Sequence, residues 1–436
     1  MIKIYGKQQK MDKITSQLTL TPELLGISDV IITDIREARD GSIIVSVKSN
    51  KSEILCHKCH SPTKPYGYGR QLTLRHLSTF GRQVYIKITP PRGICKRCDK
   101  NPTTSQTLKW FERNAHQTTP YADYLMLQLI GSTQADVARK EGTTEEIIQG
   151  IMDRYRLDEI DWETIKRIGL LGVDEIAKKK GYNDYITIIT SRYKGVNKIL
   201  GVIQGKEKTA IQAFLASIPN KKRKTILAAC VDMCDNYINA IRDTLGSDIP
   251  IIVDRFHVAK LYRKELIKLR SQELKRLKKE LTEKEYSELR PAIKILINKQ
   301  ECYTKKDKKI LASIFKLSPA IKAAYRLTRD LTIIYNTHHN KKTAQQRIKK
   351  WVEKVENSSD NCFNKFIKTL NKYENYIINY FMRRETSGFV EGINNKIKVI
   401  KRRCYGILNI KNFFQRIFLD LQGYDIFLSK QEVMKR

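Results

Sequence analysis

RIGLLGVDE (167–175), DYITIITS (184–191) and NKILGVIQG (197–205) are followed by TAIQAFLASIP (209–219), KTILAACVDM (224–233), DNYINAIRDTLG (235–246) and IPIIVDRFHV (249–258). The first three are short apolar runs rich in β-branched residues and bounded by turn formers, a pattern that predicts three strands in succession. The next four read helix, strand, helix, strand, because TAIQAFLASIP and DNYINAIRDTLG repeat their apolar positions at helical spacing. This order predicts an α/β sheet of ribonuclease H-like topology, in which the first and fourth strands are neighbours.

Acids stand where these strands end: Asp174 in GLLGVDE, Asp232 in TILAACVDM and Asp254 in IPIIVDRFH. There a carboxylate emerges from an apolar wall into the crevice where α/β sheets carry their functional groups. Neighbouring first and fourth strands bring Asp174 and Asp232 within reach of one cation, which relieves the repulsion between them. Oxygen ligands suit Mg²⁺ or Mn²⁺, and two such ions about 3.5–4 Å apart serve phosphodiester chemistry. Glu391, the lone acid heading EGINNKIKVIKRRCYGILN (391–409), is a candidate third ligand. Each acid also has a plain structural reading. Asp174 can cap the segment after it, and Asp232 or the better-placed Asp235 can cap DNYINAIRD. Glu175 points to the opposite side if its strand continues.

Outward from this block, Leu261 to Arg384 is helical and charged, and LYRKELIKLRSQELKRLKKELTEKEYSELR (261–290) predicts a long helix or hairpin inserted into the domain. The chain is helical again in the first half of 391–421 and in NFFQRIFLDL (412–421). On the N-terminal side, VIITDIREARDGSIIVSVKS (30–49) reads as a hairpin and RQVYIKITPPRGIC (82–95) as a strand reaching a Pro-Pro turn. YADYLMLQLIGS (121–132), TQADVARKEG (133–142) and TTEEIIQGIMDRYRLDEI (143–160) are helical, and the break at Glu141-Gly142 fits a helix-turn-helix. Such a pair either reads DNA or packs as ordinary core. Its second helix opens on Thr143, Thr144, Glu145 and Glu146, which suits capping better than phosphate contact.

Two CxxC knuckles, Cys56/Cys59 and Cys95/Cys98, are separated by predicted strands. Four thiolates suit tetrahedral Zn²⁺ in a ribbon-like unit, where the ion folds a module with little core of its own. His57 or His60 is the alternative donor for one position. The remaining cysteines show no disulfide framework.

Lys and Arg number 82 against 46 Asp and Glu in 436 residues, a formal net charge of +36 spread along the chain. That length fits two or three domains, and that charge a polyanionic partner. No run approaches the roughly 18 apolar residues of a membrane span, and MIKIYGKQQKMDK lacks the apolar stretch of a signal peptide, so a cytoplasmic, nucleoid-associated protein is expected.

GVDEIAKKKGYNDYITII (172–189), VDMCDNYINAI (231–241), IIVDRFHVAKL (251–261) and SGFVEGINNKIKVIKRRCYGILNIKNFFQRI (387–417), in this order behind the CxxC pairs and the helix-turn-helix, resemble the ISL3-type family of bacterial insertion-sequence transposases. The resemblance runs from about Cys56 to Phe418. It implies a DDE transposase whose triad falls on Asp174, Asp232 and Glu391, with Asp254 and His257 of the DRFH segment in supporting roles. It further implies Mg²⁺- or Mn²⁺-dependent cleavage and strand transfer of double-stranded DNA, element ends and target alike, by a homodimer or higher multimer with two catalytic ions. Within the basic segment, Lys398, Lys401, Arg402 and Arg403 are expected to hold phosphates, Asn394 or Asn395 to orient a carboxylate or touch DNA, and Tyr405 to pack or stack on a base.

The expected organisation is a β-rich unit with the zinc ribbon over 1–115, a helix-turn-helix region over 116–165, the first part of the catalytic core over 166–260, a helical insertion over 261–385 and the C-terminal helical part of the core over 386–436. Two other classes fit parts of this pattern. A zinc and helix-turn-helix regulator needs no acidic triad, and a nuclease of the same fold cuts but does not join.

Overall fold

The structure, a computed structural model, describes residues 20–157, 160–177, 184–297, 303–358, 362–383, 388–404 and 409–434; for 383, 388–391 and 429–434 it describes the backbone alone. The chain divides into two compact units, Met1–Tyr155 with Gln422–Arg436, and Arg156–Leu421. The last turns of the C-terminal helix thus group with the N-terminal unit.

In the first unit β1 (Val30–Glu37), β2 (Ile43–Ser49), β4 (Leu72–Thr79) and β5 (Arg82–Ile88) form a sheet of order β1-β2-β5-β4. Alternation along β5 turns Val84, Ile86 and Ile88 inward to meet Val45, Val47, Leu74 and Trp110. Phe80 and Gly81 join β4 to β5 with φ of 50° and 74°, the two left-handed positions of a tight hairpin turn. A smaller sheet, β3 (Lys64–Tyr68), β6 (Pro91–Ile94) and β7 (Thr103–Ser105) in that order, carries the cysteine knuckles beside it.

Helices α1 (Thr119–Leu129), α2 (Gln134–Glu141) and α3 (Glu145–Arg154) follow. Thr118, Thr133 and Thr144 each cap the next helix by accepting a backbone N–H. Gly142 ends α2 in the left-handed region at φ 62°, so α3 can leave in a new direction while Val137, Ile148, Ile151 and Met152 stay buried.

In the second unit β8 (Gly169–Ala177), β9 (Tyr185–Tyr193) and β10 (Val196–Gln204) make an antiparallel meander. The chain then passes through α4 (Lys208–Ser217) and the short α5 (Asn220–Arg223) to β11 (Ile226–Val231), and through α6 (Asp235–Leu245) to β12 (Ile251–Val253). β11 lies parallel to both β8 and β12, giving the order β10-β9-β8-β11-β12. The first and fourth strands of this sheet are therefore neighbours, as the order of segments had predicted. Helix α4 lies close on the sheet: a Cβ at Gly201 would come within 2.3 Å of the Phe214 ring. A side chain there would separate the two layers.

After β12 the chain is helical: α7 (Arg255–Glu280), α8 (Glu283–Leu289), α9 (Ala292–Ile295), α10 (Lys305–Leu317), α11 (Pro319–Asn336), α12 (Lys341–Glu356), α13 (Asn364–Lys372), α14 (Glu374–Ile378) and α15 (Tyr380–Arg383). These helices share one continuous core with the sheet, in which Tyr262 of α7, Leu331 of α11 and Trp351 of α12 are buried with Val231 and Val253. Helix α16 (Gly388–Arg403) then returns to the sheet, followed by α17 (Ile410–Met434). Ile393 and Ile397 of α16 pack with Ile176, Ile186, Ile188 and Ile199 of the meander and with Phe413 and Ile417 of α17.

Candidate active site

Asp174 does not end its strand: β8 continues to Ala177, paired with β9. What ends is the pairing on the other side, where β8 and β11 separate after Val173 and Val231. Asp174 and Asp232 are the next residues on the two strands, so both carboxylates sit at the mouth of the opening between them. This disposes of the capping alternatives. Asp174 precedes no helix, and α6 begins after Cys234 without a side-chain cap. Asp235 instead accepts from the Tyr373 hydroxyl at 2.8 Å and pairs with Lys372 at 2.5 Å. Glu175 faces away, as strand alternation requires, accepting from the Tyr237 hydroxyl at 3.2 Å.

Asp254 does cap a helix. Its carboxylate accepts the Phe256 N–H at 3.1 Å at the start of α7, and its side chain is buried. An Asp immediately before the helical run RFHVAKL carries that signal, beside its readings as a strand end and as a supporting residue of the DRFH segment. The cap holds the first turn of α7 so that His257 Nε2 lies 2.8 Å from Asp232 Oδ1. Ligand-type atoms of Asp174, Asp232 and His257 all lie within 4.8 Å of one another.

On the other flank, Asn394 of α16 is buried and donates its amide N–H to Asp174 Oδ2. Asp174 Oδ1 accepts the Glu175 backbone N–H at 2.7 Å. Asn395, by contrast, is exposed. Glu391 lies one helical turn before Asn394, on the same side of α16 by its i, i+3 spacing. Its side chain is outside the described residues, as is Tyr405.

Electrostatics mark the site as short of positive charge. Burial and then the neighbouring Asp232 carboxylate push the Asp174 carboxyl up to about 7, against the Glu175 amide and His257, which favour the ionised form. Burial opposes charging His257, but the hydrogen bond with Asp232 and the field of Asp232, Asp174 and Asp254 outweigh it and raise its pKa. Asn394 Oδ1 is buried with no hydrogen-bond partner among the described residues. Two neighbouring carboxylates, beside an imidazole and an unsatisfied amide oxygen, form a donor set that fits a divalent cation.

The basic residues behind Asn394 divide by role. Lys398 and Arg402 are exposed on α16. Lys401 donates to the Ala177 carbonyl at 2.8 Å, tying α16 to the end of β8. Arg403 pairs with the buried Asp420 at 2.6 Å. Of the four residues expected to hold phosphates, Lys401 and Arg403 thus have partners within the fold, a carbonyl and a carboxylate.

The four knuckle thiols also converge. Cys59 and Cys95 sulfurs are 3.6 Å apart and those of Cys56 and Cys98 4.0 Å. A tetrahedron of sulfurs bound at about 2.3 Å has edges of about 3.8 Å, so the set is the right size for Zn²⁺. The backbone N–H groups of Lys58 and Arg97 each point at a cysteine sulfur two residues earlier, at 3.4 Å. The backbone N–H and the hydroxyl of Ser61 hold the Cys59 thiol down to about 6, while neighbouring thiols push Cys98 up to about 12. His57 Nδ1 is turned to Thr104 Oγ1 at 3.0 Å, and neither His57 nor His60 joins the cluster among the described residues.

A family model described as a transposase of ISL3 type matches residues 171–417, the stretch from within β8 into α17 that contains the acidic site. The chain belongs to the ISL3 family of transposases. A second model, the helix-turn-helix domain of transposase family ISL3, matches residues 106–156 and so takes in α1, α2 and α3. The transposase for insertion sequence element IS1001 of Bordetella parapertussis is 24% identical over 388 residues, covering 86% of this chain and 91% of that protein. The chain is a DNA transposase, and its helix-turn-helix gives it a DNA-binding element. Among the described residues no helix is long and apolar enough to cross a membrane.

Proposed function

We propose that the second unit is a ribonuclease H-like catalytic core of DDE type, with Asp174, Asp232 and Glu391 as cation ligands for DNA strand cleavage and strand transfer. The observation that carries the reading is the meeting of Asp174 and Asp232 at the point where parallel β8 and β11 separate. A pair of Mg²⁺ or Mn²⁺ ions, when bound, would lower the pKa of an attacking water and offset charge on the scissile phosphodiester.

The chain's own residues supply alignment. The Glu175 amide and Asn394 fix the two oxygens of Asp174, and His257 fixes Asp232. Ligands held in this way need no reorganisation when the phosphate arrives. Lys398 and Arg402, exposed on the helix that carries Glu391, serve as a phosphate grip without base readout. In the first unit the zinc-bound ribbon and the helix-turn-helix hold the element ends, and a dimer or higher multimer pairs them.

Glu391→Gln tests the triad. It keeps the shape of the side chain and removes its charge, so binding of DNA carrying the element ends is expected to persist. Mg²⁺-dependent cleavage of the same DNA is expected to fall by at least about 100-fold, more than 2.7 kcal/mol of transition-state stabilisation. Cleavage at the wild-type rate would remove Glu391 from the site. Joining of a pre-cut end bearing a free 3′-hydroxyl to a plasmid separates this reading from a nuclease that cuts without joining.

A further inference from the structure

From Ile54 to Cys98 the chain carries nine Lys and Arg and no acid. Lys58, Lys64, Arg70 and Lys96 in this stretch are exposed and make no ion pair among the described residues. Strand β3 lies at the edge of its sheet, and all five of its residues are exposed. Tyr66 and Tyr68 on this edge are 55% and 63% exposed, and among the described residues neither ring meets another ring and neither hydroxyl is hydrogen-bonded. Gly67 between them has φ +83°, and the register with β6 shifts over Pro65–Tyr68, a bulge that re-aims side chains away from the ladder.

An open edge with two bare aromatic rings ordinarily invites another strand. Here the stretch that carries the edge holds basic residues and no acid, so the same stretch of a second copy would bring like charge against like charge. The fitting partner is a polyanion that offers flat apolar faces. Duplex DNA satisfies the charge but keeps its base faces inside the stack, whereas an unpaired strand exposes them.

We propose that the Lys64–Tyr68 edge binds an unpaired DNA strand by stacking bases on Tyr66 and Tyr68, with the surrounding lysines and arginines on its phosphates. The inference rests on the transposase acting on DNA and extends that activity to a strand state, the opened or cut end.

The test uses the full chain, zinc-loaded, with three fluorescent probes of arbitrary sequence: a blunt duplex, the same duplex with a single-stranded overhang, and an oligothymidylate. Stacking is worth about 1–3 kcal/mol per base, so the overhang is expected to bind about tenfold tighter than the blunt duplex. The double substitution Tyr66→Ala with Tyr68→Ala is expected to abolish that preference and weaken oligothymidylate binding while blunt-duplex affinity and zinc content stay as in the wild type. Phenylalanine at both positions is expected to restore the preference. Photocrosslinking of an iodouracil overhang is expected to label Tyr66 or Tyr68. No preference for the overhang in the wild-type chain, with blunt binding intact, would overturn the stacking site and leave the DNA-binding function standing. Retention of the preference by the double alanine variant would overturn it equally.

Discussion

Asp174 carries the most informative charge in the second unit. Its carboxyl is lifted to about 7 in the folded chain against an ordinary 3.8, so the folded state holds a proton that the unfolded chain releases. The stability this provides is present below pH 3.8 and is lost as pH rises toward 7. A divalent cation at the site must displace that proton. Mn²⁺ is therefore expected to raise the melting temperature little at pH 6 and clearly at pH 8, and Asp174→Asn is expected to erase the difference. Equal shifts at both pH values would show that the ion binds elsewhere.

Asn394 acts one step further out, through Asp174. Its replacement by Ala is expected to weaken Mn²⁺ binding by about 10–100-fold, the usual effect of losing an outer partner of a ligand, with DNA affinity unchanged. Unchanged Mn²⁺ affinity in a titration of the variant would reduce the contact to packing. The sequence made Asp174, Asp232 and His257 legible as strand-end and signature residues. It left the four basic residues of α16 undivided, because their roles depend on which face of the helix meets the sheet. Ile393, Ile397 and Ile400 mark that face, and Lys401 lies one turn from Ile397, so part of the division was readable from the 3.6-residue period.

At the scale of elements, strand order was readable because it follows from the succession of segments: a meander uses short turns, and parallel strands need a crossover helix. Strand ends were less so. β8 continues past Asp174 because β9 still pairs with it, and only the neighbour on the other side departs, a tertiary fact that no local run of residues encodes. The cysteine ribbon depends on its metal in a different way from the sheet. Its three short strands bury little of their own, and β3 buries nothing. A structural Zn²⁺ site contributes about 10–16 kcal/mol of binding free energy in small modules, more than such strands supply. Cys56→Ser combined with Cys95→Ser is expected to eliminate bound zinc by mass spectrometry and to expose the 54–105 segment to proteolysis. The second unit, with its separate core, is expected to stay resistant. Stoichiometric zinc in the double variant would mean that the ion is held by other residues.

For the molecule as a whole, charge sets how it meets DNA. A net charge of +36 permits extensive phosphate neutralisation, but only residues that face solvent and lack internal partners release counterions on binding. Arg403 is engaged by Asp420 and Lys401 by the Ala177 carbonyl, so neither counts toward that number. Lys398 and Arg402 do. Each phosphate contact contributes about −0.9 to the slope of log affinity against log salt. The double substitution Lys398→Ala with Arg402→Ala is therefore expected to make the slope shallower by about 2, with the same loss on specific and arbitrary DNA. Lys401→Ala is expected to leave the slope unchanged and to lower the melting temperature slightly instead, because its loss removes the hydrogen bond that ties α16 to the end of β8. Equal changes of slope for the two substitutions would mean that Lys401 leaves Ala177 when DNA binds. In that case α16 would shift over the face of the sheet on binding, carrying Asn394 and its hold on Asp174 with it.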